Sequence, residues 1–497
     1  MNGEMWRQLR SSNLFLWSIV FVGCVGSRVL STIYYIEDLD SLRFALSMVD
    51  YDVAKLQPHF PAYPVFCFVA KLLYLVIRRY ALAFSLLGGL STFFIIFFTL
   101  KIAKIEITTI LGKFAILVIF FIPLLWLMSN RYMPDIMGVA CLLASLYFTT
   151  AQDENDKNTL FSHCIIGFFL AGILLGIRLS YLPLLVPALL MKLKHSNRLR
   201  FMVAGTVGIL IWLIPLLWIT GWNTLVTAVQ TQSHGHFSDF GGTVSTNPEL
   251  WVRFTKNFES IFADGFGLYW LGRHPITACT TIILITIVVV ANWQTVRKWF
   301  KKKQSRDNSL FLNPIFLGCV LYLVWIFLAQ NVIHKSRHVL PLLPFLALGI
   351  ALSCHRMTTL QGTATAINRK QRKIGWGLVV IFFLCYSYVT LHTVVQHTKP
   401  TAIAQIHKYL HDKQSEQDKK LHIVSVPLIK YYLVSQGVKA NYIPIKSEAD
   451  LAKLDELETG IVAIGSALPD RVPKSEKTFY HNPYVNRMWS ELSLYEY

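Results

Sequence analysis

The chain has 497 residues, of which 54% are hydrophobic and 15% are charged, and its mean hydropathy is +0.46. Soluble globular chains carry about 25% charged residues, so this composition excludes a disordered chain, a coiled coil and an ordinary soluble enzyme. A soluble nucleic-acid binder of this length also needs a more charged surface. The net charge of +19 is therefore interpreted as the orientation signal of a membrane protein, with no nucleic-acid partner.

Eleven apolar segments are candidates for membrane-spanning helices, because a bilayer core of about 30 Å requires roughly 20 apolar residues. They are 12–34, 80–100, 109–128, 134–150, 160–177, 179–191, 201–219, 275–293, 310–330, 338–353 and 374–393. A further apolar stretch, 61–77, contains Pro61, Pro64 and Lys71 and is barely long enough to span. The fold class predicted is mainly α, a polytopic bundle of about eleven spans.

The most basic connections decide how 61–77 is interpreted. They are 192–200, 294–306 and 355–373. Positive charge accumulates on cytoplasmic loops, and Arg7 and Arg10 favour a cytoplasmic N-terminus. With the N-terminus in the cytoplasm, all three basic connections are cytoplasmic only if 61–77 lies in the membrane interface, which gives eleven spans. If 61–77 crosses the membrane, the chain has twelve spans, and the basic connections are cytoplasmic only when the N-terminus is outside. This second topology stays an alternative.

The eleven-span topology exposes four regions on the outer, extracytoplasmic face of a cell membrane. They are a first loop 35–79, a short loop around 129–135, a long loop 220–274 and the tail 394–497. The tail is polar and predicts a small α/β unit, with helices near 401–413 and 428–436 and strands at 421–426 and 460–466. We therefore predict a transmembrane domain, 1–393, and a soluble extracytoplasmic domain, 394–497.

The eight cysteines lie in or beside apolar stretches, and the sequence contains no Cys-x-x-Cys pair. Zinc and redox chemistry therefore have no sequence support, and the cysteines are interpreted as packing residues.

The first outer loop carries three carboxylates within four residues: Glu37, Asp38 and Asp40. One interpretation is structural, with Asp40 as the N-cap of a helix over 41–50. The other is functional, because like charges raise one another's pKa and carboxylates at a membrane boundary are usually kept for chemistry.

Polar residues at other predicted boundaries have the same two interpretations. Arg178 and Arg337 suit a bidentate phosphate site or the snorkelling of a long side chain to lipid headgroups. Asp135 is either a ligand-binding carboxylate or an acidic residue that complements a helix dipole.

Histidines in the outer loops suggest further contacts. His59 and Tyr63 lie in a proline-rich turn that either aims the next helix or shapes a substrate cleft. His234 and His236 form a His-x-His pair close to Asp239, which resembles a set of metal ligands, although no further Cys or His lies in register. No metal ligand is assigned, and a divalent cation stays an open option; no other cofactor is predicted.

These motifs together resemble the GT-C superfamily of membrane glycosyltransferases, in particular the branch of protein O-mannosyltransferases and lipid A aminoarabinose transferases. In that branch an outer-loop Asp is followed by Arg, an aromatic residue and Ala, as in Asp40–Ala45, although Ser41 replaces the usual Glu. The other similar motifs are His59–Pro64, Asp135, Arg178 ahead of Pro183, and Arg337 ahead of Pro341 and Pro344. The resemblance covers most of the chain, and its specificity lies in the order and spacing of short motifs.

The resemblance implies an enzyme that transfers a sugar from a polyprenyl-phosphate donor to a protein, lipid or glycan acceptor, with inversion. Asp40, with Asp38, is the expected catalytic carboxylate and Asp40 the general base. Arg178 and Arg337 are expected to hold the donor phosphate. The expected acceptor- or sugar-binding residues are Glu37, Arg43, His59, Tyr63, Asp135, His234 and His236.

Two other functions stay open. A polymerase or ligase of lipid-linked saccharides also uses arginines in long outer loops, and Arg253 and Arg273 fit that pattern. A transporter or flippase predicts charges buried in the middle of spans and paired discontinuous helices, and the apolar segments here are nearly free of charge.

Overall fold

A computed structural model describes residues 3–151, 157–194, 196–239, 243–246, 249–301, 313–359, 366–416, 421–443, 460–469 and 471–497. Its contacts divide the chain into two compact units. The helical unit comprises 1–32 and 46–394, and the sheet unit comprises 33–45 and 395–497. Residues 33–45, which contain the acidic loop, therefore belong with the C-terminal residues, although they were predicted as part of the transmembrane domain.

The chain is mainly helical, as predicted. Up to the end of the helical unit the helices are α1 (Gly3–Leu30), α2 (Leu39–Ser47), α3 (Pro64–Ile77), α4 (Tyr80–Ile102), α5 (Ile110–Phe120), α6 (Pro123–Asn130), α7 (Asp135–Thr150), α8 (Lys157–Arg178), α9 (Leu182–Lys192), α10 (Arg198–Thr220), α11 (Trp222–His234), α12 (Leu250–Phe258), α13 (Ile276–Lys301), α14 (Pro314–Ala329), α15 (Leu343–Thr358) and α16 (Ala366–His397). Short 3₁₀ segments at Leu179–Tyr181 and Ser336–Leu342 and π-helical segments at Gly235–Asp239 and Glu259–Gly265 connect some of them. Each of the eleven predicted spans corresponds to a helix or to a pair of consecutive helical segments.

Seven helical segments of the described chain are long and apolar enough to cross a membrane, or eight if the bent pair α5–α6 is one span. They are Asn13–Leu30, Tyr80–Ile102, Ser162–Lys192, Arg198–Thr220, Ile276–Trp293, Ser336–Thr358 and Gln371–Ser415. The eleven predicted spans exceed the larger count of eight by three, because 160–177 and 179–191 form one run and α7 and α14 are shorter apolar helices. The length and hydropathy of these helices define a multi-pass membrane protein.

The segment predicted as one span over 109–128 is broken in two. The helices α5 and α6 meet at an angle of 55°, and Pro123 is the first residue of α6. Proline has no amide hydrogen and clashes with the preceding helical turn, so the first helix ends before it. The neighbouring segment 61–77 forms α3, whose 14 residues span about 21 Å and are too short to cross a bilayer core alone. Its interfacial position stays a prediction.

A buried arginine lies within the helical unit, in the last turn of α1. Arg28 is fully buried, and its guanidinium group lies 4.0 Å from the ring centre of Trp126 and 4.7 Å from that of Phe120. Its Nη2 donates to the carbonyl of Phe120 at 3.2 Å. Aromatic faces and a carbonyl thus replace the water around this cation, in the last helical turn, where the dipole favours positive charge.

The sheet unit contains the α/β fold predicted for the tail. Its elements are α17 (Ala402–Glu416), β1 (Leu421–Ser425), α18 (Pro427–Ser435), β2 (Ala440–Ile443), β3 (Ile461–Ile464), β4 (Ser475–Tyr480) and β5 (Glu491–Glu496). The strand order is β2-β1-β3-β5-β4, with β1 parallel to β2 and β3, and β5 antiparallel to β3 and β4. The two predicted helices and two predicted strands are confirmed. Every residue of β3 is buried, as a central strand requires.

One carboxylate at the end of this sheet gives a pH prediction. The side chain of Glu496 accepts hydrogen bonds from Lys413 at 2.6 Å, Tyr409 at 2.7 Å and Ser475 at 3.0 Å. Partial burial opposes ionisation, but the hydrogen bonds from Lys413, Tyr409 and Ser475 and the charge of Lys413 hold the pKa of Glu496 below its ordinary value of 4.5. A carboxylate with a lowered pKa stabilises the fold above its unfolded-state pKa, and that stability is lost as the pH falls below it.

We therefore expect hydrogen exchange in β5 to accelerate as the pH falls through 4.5, after correction for intrinsic exchange. In Glu496→Gln the acceleration should be smaller, while Glu491→Gln, at the other end of β5, should behave as the wild type. An equal acceleration in wild type and Glu496→Gln would contradict this assignment.

Candidate active site

The acidic loop is ordered by its own helix. Asp38 precedes α2, and its Oδ1 accepts a hydrogen bond from the backbone amide of Ser41 at 2.8 Å. Asp38, rather than Asp40, is therefore the N-cap, and the predicted helix over 41–50 runs instead from Leu39 to Ser47. The second oxygen of Asp38 lies 3.5 Å from Nδ2 of Asn486, so this carboxylate links the start of α2 to the C-terminal part of the sheet unit.

Residues of the C-terminal region hold the start of the acidic loop. Glu37 is 1% exposed, and its Oε1 lies 3.3 Å from Nε2 of His397. The hydroxyl of Thr401 donates to the carbonyl of Glu37 at 3.0 Å, and that of Tyr432 donates to the carbonyl of Ile36 at 2.6 Å. These contacts join residues at least 360 positions apart, and they give Glu37 a structural partner in place of solvent.

Asp40 lies in the first turn of α2, where the helix dipole favours a negative charge. It is 8% exposed, and its Oδ1 lies 3.8 Å from Nη1 of Arg43. The guanidinium group of Arg43 lies 5.8 Å from the ring centre of Tyr431. All four predicted residues of the loop, Glu37, Asp38, Asp40 and Arg43, therefore lie in one cluster, which we call the acidic cluster.

A second cluster forms in the helical unit, around Asp135. The side chain of Asp135 is fully buried in the first turn of α7, and Nη2 of Arg178 lies 3.0 Å from its Oδ1. Arg178 is the last residue of α8, so each charge lies at the helix end that its sign favours. The hydroxyl of Tyr181 donates to the same Oδ1 at 3.3 Å.

Arg337 lies at the same carboxylate. Its Nε is 4.0 Å from Oδ1 of Asp135, and its Nη1 donates to the sulfur of Met133 at 2.9 Å. Arg178 and Arg337 are 6% and 8% exposed, so two nearly buried guanidinium groups converge on one carboxylate. We call this group the arginine cluster.

The proline-rich turn supplies the next partner of the arginine cluster. Nη1 of Arg178 donates to the hydroxyl of Tyr63 at 3.1 Å, and that hydroxyl lies 3.4 Å from Nε2 of His59. Ala62 and Tyr63 have φ values of 69° and 47°, in the left-handed region that non-glycine residues rarely adopt. Backbone strain of this kind usually persists where it holds a side chain in a required orientation. Here the strained residue Tyr63 is hydrogen-bonded to Arg178. Four of the predicted residues, Tyr63, Asp135, Arg178 and Arg337, are thus brought together with His59 beside them.

Sequence reasoning missed Gly138, which makes room for this arrangement. A Cβ atom on Gly138 would lie 2.8 Å from Cβ of Arg178 and 3.0 Å from the ring of Tyr181. The end of α8 can approach α7 because no side chain stands at this position. The signal in the sequence was a glycine three residues after Asp135, on the same face of a helix.

Gly138→Ala therefore gives a prediction about the arginine cluster. The added methyl group should displace Arg178 and weaken the Arg178–Asp135 pair, lowering thermal stability and the affinity for an anionic ligand of this cluster. Gly349→Ala is the matched control, because a Cβ atom there has no neighbour within 4 Å. Equal melting temperatures and equal ligand affinity for the two variants would contradict the close approach.

The two loop histidines belong to the helical unit, at the end of α11 and in the π-helical segment that follows it. His234 is the exposed last residue of α11, and Nε2 of His236 lies 2.8 Å from the carbonyl of Ala329 at the end of α14. No group of three or more His, Cys, Asp or Glu side chains suited to a metal ion occurs among the described residues. The His-x-His pair thus gains no further metal ligand in the part of the chain that the structure describes.

The arginines that kept a polymerase or ligase open have structural contacts. Arg253 is fully buried, and its guanidinium group donates to the carbonyls of Phe327 and Gln330. It therefore satisfies free carbonyls at the end of α14. Arg273 is ion-paired with the buried carboxylate of Asp264. These contacts give both arginines a structural role, and the polymerase or ligase alternative stays open.

The fold and the two clusters define a multi-pass membrane protein with buried charges at helix ends and a small α/β unit. No family model and no curated protein matches the chain. The solved structures similar to it include ArnT from Cupriavidus metallidurans bound to undecaprenyl phosphate, with a TM-score of 0.48, 12% identity and coverage of 99% of this chain and 98% of that chain. They also include the same protein in the apo state, with a TM-score of 0.49, 12% identity and coverage of 96% of this chain and 97% of that chain. At this identity and with TM-scores below 0.5, neither structure transfers an activity or a substrate to this chain.

Proposed function

We propose that the protein is a membrane glycosyltransferase of GT-C type, which transfers a sugar from a polyprenyl-phosphate donor to an acceptor hydroxyl outside the cytoplasm. The observation that carries the proposal is the arginine cluster. Its two guanidinium groups lie within 4.0 Å of one buried carboxylate oxygen, in a unit of apolar helices. The Nε–H group of Arg178 is buried and has no hydrogen-bond acceptor among the described residues, which leaves a donor for a phosphate oxygen.

An apolar groove whose lining begins four residues after Arg178 supports a lipid-linked donor. It has a volume of about 420 Å³ and is lined by residues of α9 and α14: Leu182, Pro183, Val186, Leu321, Trp325 and Leu328. The short 3₁₀ segment Leu179–Tyr181 joins Arg178 to this lining. An apolar surface of this kind suits the prenyl chain of a donor whose phosphate is held by Arg178.

The reaction assigned to this enzyme is an inverting displacement at the anomeric carbon. Asp40 takes the proton of the acceptor hydroxyl, the hydroxyl oxygen forms the new bond to the anomeric carbon, and the bond to the lipid phosphate breaks. Arg178 and Arg337 stabilise the charge that develops on the departing phosphate. Asp135 and Tyr63 hold Arg178, while Asp38 and Glu37 position α2 and with it Asp40.

The test is sugar transfer by the purified protein in lipid nanodiscs. Undecaprenyl-phosphate-linked sugars and the matching nucleotide sugars are offered with a set of protein, lipid and glycan acceptors. We expect transfer from the lipid-linked donor only, with release of undecaprenyl phosphate and an inverted anomeric configuration. Transfer from nucleotide sugars, or movement of the intact lipid-linked sugar across the bilayer without transfer, would contradict the proposal.

A further inference from the structure

The sheet unit contains a cleft to which the proposed reaction assigns no role. The cleft has a volume of about 830 Å³ and lies where the end of α16 leads into α17, against the end of β4. Its lining includes Lys399, Lys408, Tyr409, Asp412, Tyr480 and Asn482. All of these residues belong to the sheet unit.

Hydrogen bonds between backbone and side chains fix the walls of the cleft. The amide nitrogen of the Gln405 side chain donates to the carbonyls of Pro400 and Tyr480, each at 2.9 Å. The ring of His481 accepts from the amide of Ala402 at 3.1 Å, and its Nε2 lies 2.8 Å from the carbonyl of Asn486. The start of α17 and the end of β4 are therefore tied together, so the cleft is a formed feature rather than a gap between mobile side chains.

The chemistry of the lining indicates the class of ligand. Tyr480 is 61% exposed, which leaves a flat apolar ring with a polar tip at the edge of the cleft. Lys399 and Lys408 contribute two positive charges against the single carboxylate of Asp412. Aromatic rings, amide groups and an excess of lysine suit a sugar ring that carries an acidic group, because the ring packs on the aromatic face and the acid pairs with the lysines.

We infer that this cleft binds an anionic saccharide and that the saccharide belongs to the acceptor; the second statement rests on the proposed transfer reaction. The cleft is lined by residues at the end of α16 and in α17, and Thr401, between these two helices, donates to the carbonyl of Glu37 at the start of the acidic loop. The sheet unit then has two tasks: it positions α2, and it recognises the molecule that receives the sugar.

The experiment measures binding without turnover. The protein in neutral phosphatidylcholine nanodiscs is titrated calorimetrically with trigalacturonate, with the neutral trisaccharide maltotriose and with inorganic phosphate. We expect trigalacturonate to bind at least about tenfold more tightly than either of the others. Lys408→Ala and Tyr480→Ala should each lower the affinity for trigalacturonate about tenfold. Lys430 lies on α18 outside the cleft, so Lys430→Ala should leave this affinity unchanged.

The possible outcomes separate this inference from the proposed function. Absence of trigalacturonate binding, equal binding of maltotriose or phosphate, or wild-type affinity in Lys408→Ala and Tyr480→Ala would each overturn the inference. Binding that responds to the variants would support the anionic-saccharide site even if no sugar transfer is found. In that case the assignment of the saccharide as the acceptor fails together with the proposed function.

Discussion

Replacing Asp40 by Asn is expected to abolish most sugar transfer while leaving the protein folded and able to bind donor. Asn keeps the size of the side chain and can still accept a hydrogen bond, but it cannot take a proton from the acceptor. Loss of a general base typically costs about 10²–10⁴-fold in rate. The measurement is single-turnover transfer from an undecaprenyl-phosphate-linked sugar, with donor affinity determined separately.

Two other carboxylate variants make this result specific. Asp50 is exposed and ion-paired with Lys55 at 2.9 Å, so Asp50→Asn should transfer at the wild-type rate. Asp38→Asn removes a neighbouring charge but keeps a good N-cap residue for α2, and we expect it to retain far more activity than Asp40→Asn. Wild-type turnover in Asp40→Asn, or an equal loss in Asp38→Asn and Asp40→Asn, would remove the assignment of Asp40 as the base.

The contrast between these carboxylates shows what local sequence can decide. The run from Glu37 to Asp40 predicted a helix start and a cluster of acids, and both are present. Which aspartate caps the helix was predicted wrongly, because two candidate caps two residues apart differ little in local propensity. Asp38 caps the helix and also lies 3.5 Å from Asn486, and a residue so distant in the chain leaves no local pattern.

The helices were more predictable than their lengths and breaks. Each apolar run became helical, because a segment that crosses a lipid bilayer has no water to bond its backbone groups and must satisfy them internally. Counting spans from hydropathy was less successful, since hydropathy averages over Pro123 and over the short segment Leu179–Tyr181 that joins α8 to α9. One proline divided a predicted span, and one 3₁₀ turn kept two predicted spans in a single run.

The residues of the arginine cluster were predicted through their motifs, but their geometry was not. Asp135, Arg178 and Arg337 each follow or precede an apolar run, which gives no information about which charge meets which. Gly138 and Tyr181 decide that pairing, since one leaves space for Arg178 and the other donates to Asp135. A candidate site residue can thus be proposed from its type and position, while its partner depends on packing between helices.

Replacing Arg178 by Lys is expected to weaken binding of undecaprenyl phosphate by about 10–100-fold. The ammonium group keeps the positive charge, but it cannot donate two parallel hydrogen bonds to a phosphate while also contacting Asp135 and Tyr63. A hydrogen bond to a charged group contributes about 1.5–3 kcal/mol, which corresponds to this range of affinity. Native mass spectrometry or fluorescence titration in nanodiscs measures the change.

The Lys substitution is preferable to Ala because Asp135 is fully buried. Arg178→Ala would leave that carboxylate without its ion-pair partner at 3.0 Å, and breaking a buried pair in this way costs about 3–5 kcal/mol of stability. Arg337→Lys should lower the affinity for undecaprenyl phosphate by a similar factor. Arg198 is an exposed arginine at the start of α10, and Arg198→Lys should leave that affinity unchanged. Wild-type affinity in both Arg178→Lys and Arg337→Lys, with unchanged melting temperatures, would show that the arginine cluster holds the helices together and does not bind the donor.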